Sequence, residues 1–247
     1  MSTTIEETAV AVKKRGRGRP RSTGTNVDDP RAEIVRVATR MFREKGYNET
    51  SFSAVAKEAG LSQSSMYYWF KSKEELLDEV LTGSFRNCTY KGKLFSANAP
   101  IEVRLFALLY RRTFKYCNLP VDVYDIEAAA CSNSACFKLF FEEFEEYRSG
   151  LTGLLEEGLE QGCFSGISAV DAFCLLMSMI LTQQHLYHQY SVSADPFVIA
   201  NKDFNPEEIN QWALRAARMG LGAMVADQDL LASAEQSARE YGWLFDD

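Results

Sequence analysis

Histidine is almost missing from this 247-residue sequence, which holds only His185 and His188. So little imidazole leaves little material for acid–base catalysis or metal ligation. The two lie three apart, a spacing that can hold a metal, but no H-E-x-x-H pattern surrounds them. A Gly-rich phosphate loop, a nucleophile elbow and a Ser/His/Asp order are also lacking. The six cysteines, at 88, 117, 131, 136, 163 and 174, form no C-x-x-C pair and mostly sit in apolar helical patterns. They read as buried reduced thiols, not as a zinc site or a disulfide framework. Long apolar runs are missing too: Ala172 to Leu181 is about half the length of a bilayer span. No basic-then-apolar leader opens the sequence, so a cytoplasmic location, with no membrane partner, is expected. Neither an internal repeat nor a convincing strand is visible, and no cofactor is implied.

The charge is unevenly divided. The chain is acidic overall at −7, yet residues 1–91 carry 16 Lys/Arg against 12 Asp/Glu, and residues 92–247 carry 11 against 22. Such asymmetry suggests that one end meets a polyanion and the other does not. Residues 1–27 lack helical or strand periodicity and are expected to be disordered. They contain Lys13-Lys14-Arg15-Gly16-Arg17-Gly18-Arg19-Pro20-Arg21. Its glycines let an extended backbone approach a surface closely, and Pro20 forbids a helix. The Arg17-Gly18-Arg19-Pro20 core resembles the AT-hook, which implies Arg17 and Arg19 lying in a narrow A·T-rich minor groove.

Four helix starts follow within about 45 residues. Asp29 caps the first helix with Pro30 inside it, and Ile34, Val37, Ala38, Met41 and Phe42 recur at helical spacing to about Lys45, where Gly46 ends it. Thr50 or Ser51 caps a second, whose buried face is Phe52, Val55, Ala56 and Ala59. Gly60-Leu61-Ser62 makes a tight turn into a short third helix, Gln63 to Phe70, and Ser72 with Glu75 forms a capping box for a fourth. This order predicts a helix-turn-helix, which lays one short helix in a DNA groove. Gln63 can make paired hydrogen bonds to adenine, and Ser64 and Ser65 can donate or accept without bulk. Tyr68 offers a face to a thymine methyl and a hydroxyl to a base or phosphate. Thr50 or Ser51 can anchor a phosphate at the start of the second helix. Met66 and Phe70, four apart, should point into the core.

The run Gly46-Tyr47-x-x-Thr50-Ser51-Phe52, Val55-Ala56-x-x-Ala59-Gly60-Leu61-Ser62, Met66-Tyr67-Tyr68-Trp69-Phe70-x-x-Lys73-x-x-Leu76-Leu77 is similar to the TetR family of transcriptional regulators, over roughly residues 29–81. Met66 stands where that family commonly has Leu, and Trp69 where His is frequent. The resemblance implies phosphate contacts from Tyr67 and Lys73, a homodimer built from the last long helices, and a small-molecule sensor in the C-terminal part.

Residues 92–247 read as helical throughout, with segments expected from Pro100 to Cys117, after Pro120 to Ala130, Ser134 to Gln161, Ser168 to Tyr190, Asn205 to Val225 and Gln228 to Tyr241. Apolar residues surround the Ala172–Leu181 segment, and small residues at Ala213, Ala216, Ala217, Gly220 and Ala223 permit close helix approach. Leu176, Ile180, Trp212, Ala216, Met219 and Ala223 are the expected dimer-interface residues. Phe106, Tyr110, Phe114, Tyr124, Phe144, Met177 and Gln184 are the expected pocket lining, which favours an apolar or aromatic effector.

The sequence therefore predicts an all-α protein in three parts: an AT-hook-like arm (1–27), a three-helix helix-turn-helix domain (28–81) and a helical ligand-binding and dimerisation domain (82–247). The expected function is that of a ligand-responsive homodimeric repressor on a palindromic DNA operator, not an enzyme. Two rival readings are an architectural DNA binder led by the arm and a helical metal-dependent enzyme using His185 and His188.

Overall fold

The computed structural model describes residues 29–86, 94–133, 135–192, 208–225 and 227–245, and among these it is helical with no strand. Asp29 caps α1 (Pro30–Lys45) through its carboxylate, which accepts from the backbone N–H groups of Arg31 and Ala32. Gly46 ends the helix at φ 84° with an extended ψ of 156°. The short α2 (Phe52–Glu58) and α3 (Gln63–Trp69) follow, then α4 (Lys73–Arg86). The Ser72 hydroxyl accepts from the Glu75 N–H, and the Glu75 carboxylate returns the bond to the N–H of Lys71, one residue earlier than an ordinary capping box. Ile34, Val37, Phe42, Val55, Met66, Phe70, Leu76 and Leu77 close a core among these four helices.

The remainder comprises α5 (Ile101–Cys117), α6 (Val123–Ser132), α7 (Lys138–Glu160), α8 (Ala169–Val192), α9 (Ile209–Gly222) and α10 (Gln228–Glu240). Helix α5 is the axle: it packs against α7, α8, α9 and α10, and its face is buried almost all round. Two starts differ from the sequence reading. Helix α7 begins at Lys138, not Ser134, because Phe137 adopts a left-handed backbone (φ 66°) while fully buried. That conformation strains a bulky residue by about 1–3 kcal/mol. Helix α9 starts at Ile209; the expected start at Asn205–Glu207 lies outside the described residues.

The close approach expected between subunits is made within one chain. A Cβ at Gly220 would lie 2.6 Å from Leu109 Cδ1 of α5 and 3.0 Å from Leu176 Cδ2 of α8, so glycine lets α9 sit directly on α5. Leu176, Ile180, Trp212 and Ala216 are accordingly buried in their own subunit. This corrects their assignment to the dimer interface. Of the six expected residues, only Met219 and Ala223 are exposed. The outward side of α8 instead presents Val170, Cys174 and Leu175. No helix among the described residues is long and apolar enough to cross a membrane.

Candidate nucleic-acid interface

The α2–turn–α3 unit is built by short-range hydrogen bonds that its own sequence supplies. The Ser51 hydroxyl accepts from the Ala54 N–H at 3.1 Å, and the Ser62 hydroxyl from the Ser65 N–H at 3.1 Å. Between the helices Gly60 takes φ 69°, a left-handed turn that costs a residue with a Cβ more than it costs glycine. The Leu61 N–H then reaches back to the Ala56 carbonyl at 2.8 Å.

Helix α3 divides its side chains sharply. Met66 and Phe70 are fully buried, whereas Gln63, Ser64, Ser65, Tyr67 and Tyr68 are exposed, Tyr68 by 74%. Tyr67 keeps its ring against Phe52 of α2, with centroids 5.2 Å apart, while the residue stays exposed. Trp69 is half-buried and meets the edge of Tyr68 at 5.0 Å. The three serines around the helix start are linked, with Ser62 Oγ 3.0 Å from Ser64 Oγ and 2.8 Å from Ser65 Oγ. A helix start with free N–H groups, small hydroxyls and one amide can meet a nucleic-acid groove closely.

The two options for the phosphate anchor on α2 separate. Thr50 is buried, and its hydroxyl donates to the Gly46 carbonyl at 2.8 Å and lies 3.3 Å from that of Met41. It staples the α1–α2 turn and has no surface to offer a phosphate, which corrects the expectation for Thr50. Ser51 is exposed at the helix start. Lys73 stands with its ammonium 3.9 Å from the Tyr47 ring centroid, and burial lowers its pKa from the ordinary value. Arg17 and Arg19 lie outside the described residues.

Sequence reasoning missed Lys71. It is exposed, and its ammonium donates to the Tyr67 carbonyl at 2.9 Å, placing a cation at the C-terminal end of α3. Its position two residues before Lys73, just beyond the aromatic run, was the available signal. Also missed were the ties to the rest of the chain. Asn48 Nδ2 donates to Asp125 Oδ1 at 2.6 Å, and Arg43 Nη2 to the Asn118 carbonyl at 3.1 Å. Partners more than 70 residues apart leave no local pattern.

The expected pocket residues do not converge on one wall. Phe106 and Met177 are core residues. The Gln184 amide clamps the chain before α6, donating to the Val121 carbonyl and accepting from the Val123 N–H, both at 3.0 Å. The Tyr110 hydroxyl donates to Asn210 Oδ1 at 2.5 Å and accepts from the Phe245 N–H, and the Phe114 ring lies tilted against that of Phe245 with centroids 4.5 Å apart. These two hold the end of the described chain. Tyr124 is exposed beside His185, and Phe144 is half-buried. Neither histidine joins a metal-ligand group among the described residues. His185 Nδ1 lies 2.5 Å from Asp122 Oδ2, and His188 Nε2 lies 3.1 Å from the Leu119 carbonyl.

A sequence profile described as bacterial regulatory proteins of the tetR family matches residues 34–80. The HTH-type transcriptional repressor KstR2 of Mycobacterium tuberculosis (strain ATCC 25618 / H37Rv) is 29% identical over 142 residues, covering 56% of this chain and 70% of that one. Among solved structures, Mycobacterium smegmatis AmtR superposes with a TM-score of 0.56 at 22% identity, covering 90% of this chain and 98% of that chain. Bacillus subtilis FadR, in complex with stearoyl-CoA, superposes with a TM-score of 0.51 at 16% identity, covering 78% and 98%. The two superpositions speak to the fold alone.

Proposed function

Because this chain belongs to the TetR family and is a DNA-binding transcriptional regulator, we propose that it represses from a palindromic operator as a homodimer and leaves it when a small molecule binds the C-terminal helices. The observation that carries the reading is the division of α3, with Gln63, Ser64, Ser65, Tyr67 and Tyr68 outward and Met66 and Phe70 inward. Gln63, Ser64, Ser65 and Tyr68 read bases, and Ser51, Tyr67 and Lys73 hold phosphates. One such helix covers only a few base pairs, so specificity needs a second copy about one helical turn away. The exposed apolar side chains Val170, Leu175 and Met219 support a face that a second copy covers. The arm at 1–27, with Arg17 and Arg19, adds a minor-groove grip on the flank through a tether of high local concentration.

A small-molecule effector is supported by the large helical domain hung on α4, which touches both α1 and α7. Any shift of α7 reaches the reading unit through its packing on α4. FadR, recorded with an acyl-CoA on this fold, is a precedent for such a ligand. Selection of bound DNA from a random pool, followed by release with candidate metabolites, tests the whole reading. A discrete two-fold footprint is expected; uniform coverage would instead favour an architectural binder. Gln63→Ala and Tyr68→Ala should relax base preference at about 1–3 kcal/mol per position. Lys73→Ala should weaken every site alike and reduce the salt slope by about one ion. Normal binding by all three variants would refute the groove assignment.

A further inference from the structure

Helix α5 carries three buried cations, Arg104, Arg112 and Lys115, and α7 packs along all of them. Two are matched in the ordinary way: Glu157 of α7 lies 3.1 Å from Arg104 Nη1, and Glu143 of α7 lies 3.2 Å from Lys115 Nζ. Glu143 is thus turned inward out of an otherwise solvent-facing acidic run. Arg112 is treated differently. It is only 2% exposed, and α7 offers it the ring of Tyr147 in place of a carboxylate. Its guanidinium carbon is 4.2 Å from the centroid of Tyr147 and 4.2 Å from that of Tyr116. One Nη donates to the Tyr116 hydroxyl. Among the described residues its Nε is enclosed with no acceptor, and no carboxylate pairs with it.

A guanidinium cannot shed its charge on burial as an amine can. Ring faces and one phenol meet part of its need, but the N–H groups in its plane are made for a planar, two-oxygen anion. We infer that Arg112 is the anchor for the carboxylate of a small apolar acid bound between α5 and α7. This rests on the reading of the C-terminal helices as a sensor and narrows its ligand class. The rest of the ligand is apolar because α7 lines this side with Phe140, Tyr147 and Leu151, all buried. The signal reaches α4 because the anchor grips α7, which packs against α4.

Calorimetric titration of the full chain, without DNA, with dodecanoate and 4-phenylbutanoate against dodecan-1-ol and 4-phenylbutan-1-ol tests the anchor. At least one acid is expected to bind about tenfold to a hundredfold more tightly than its alcohol, the range for one charge-assisted pair. Arg112→Met should level acid and alcohol, and Arg112→Lys should keep part of the preference. Equal binding of acid and alcohol by the unaltered chain overturns the anchor without any variant having to fold. A preference retained in Arg112→Met overturns it too, as does absence of binding by either series. Release of operator DNA by the alcohols alone would preserve the sensor reading and remove the acid from it.

Discussion

The reading unit and the C-terminal helices both bury large side chains, but they use their small and polar residues for opposite ends. Around α2 and α3, Gly60, Ser51 and Ser62 act within three or four residues of themselves and set backbone shape. Around α5, Gly220, Gln184 and Arg112 act on helices distant in sequence and set how elements fit. A local device can be recognised from spacing; a fitting device shows only when the helices are assembled.

Two glycine substitutions test this contrast and carry the largest expected effects. Gly220→Ala would place a Cβ 2.6 Å from Leu109 Cδ1, 3.0 Å from Leu176 Cδ2 and 3.1 Å from Met179 Cε. Overpacking of that kind costs roughly 1–3 kcal/mol, and the two surrounding helices, α5 and α8, must shift. At Gly60 nothing lies within 4 Å of an added Cβ, so Gly60→Ala strains only the φ of 69°, at roughly 1–2 kcal/mol. Both losses should appear in urea denaturation monitored by circular dichroism. The sharper outcome is where they appear: Gly60→Asn should recover much of the loss, because Asn tolerates the left-handed region, whereas Gly220→Asn should worsen it. If Asn treated the two sites alike, the division between shape and fit would fail.

The same contrast explains which features were legible beforehand. The caps at Asp29, Ser51, Ser62 and Ser72, the inward Met66 and Phe70, and the outward Gln63 to Ser65 follow from helix periodicity and N-cap chemistry, and the structure has them. Leu176, Ile180, Trp212 and Ala216 carried the same apolar signal whether covered by their own chain or by a copy. Periodicity states that a face is covered, not by what. Phe137 falls within the segment expected to be helical from Ser134, yet its left-handed backbone puts it before the helix start. Nothing in its neighbours marks that. Arg112 has no local feature to mark it, because the ring of Tyr147 that faces it comes from α7.

A smaller effect separates fold from contact within the reading unit itself. Thr50→Val removes a buried hydroxyl that donates to the Gly46 carbonyl, at about 1 kcal/mol of stability. Its DNA affinity, measured on the folded fraction, should keep the salt slope of the parent. Ser51→Ala should cost a similar amount as a lost N-cap. It should also weaken DNA binding at every sequence, because the exposed hydroxyl no longer meets a phosphate. Equal DNA affinity in the two variants would return the phosphate contact to neither residue.

The smallest expected effect belongs to the junction between the two regions and is read by pH. Burial lowers the pKa of His188 from the ordinary 6.5, opposed by its bond with the Leu119 carbonyl and by the charges of Asp122 and Asp125, and aided by Arg43. The folded chain therefore holds this ring neutral, with Nε2–H donating to Leu119, at a pH where the unfolded chain has already bound a proton. The unfolded state binds more protons there, so stability is complete above about pH 6.5 and falls as the pH drops below it. The slope from one such group is at most about 1.4 kcal/mol per pH unit. Burial also raises Asp125 and Asp78 from their ordinary 3.8, which has the opposite sign: their protonation favours the folded chain as pH falls. The two trends can overlap, so the net curve alone decides nothing. His188→Gln keeps a donor for the Leu119 carbonyl and removes only the titration. The difference between parent and variant stability, measured by urea denaturation at pH 7.5, 6.5, 5.5 and 5.0, should be flat above 6.5. Below it, the parent should lose stability relative to the variant. A difference that stays flat to pH 5.0 would mean that His188 accepts its proton as readily folded as unfolded, and that this junction is wetter than its burial implies.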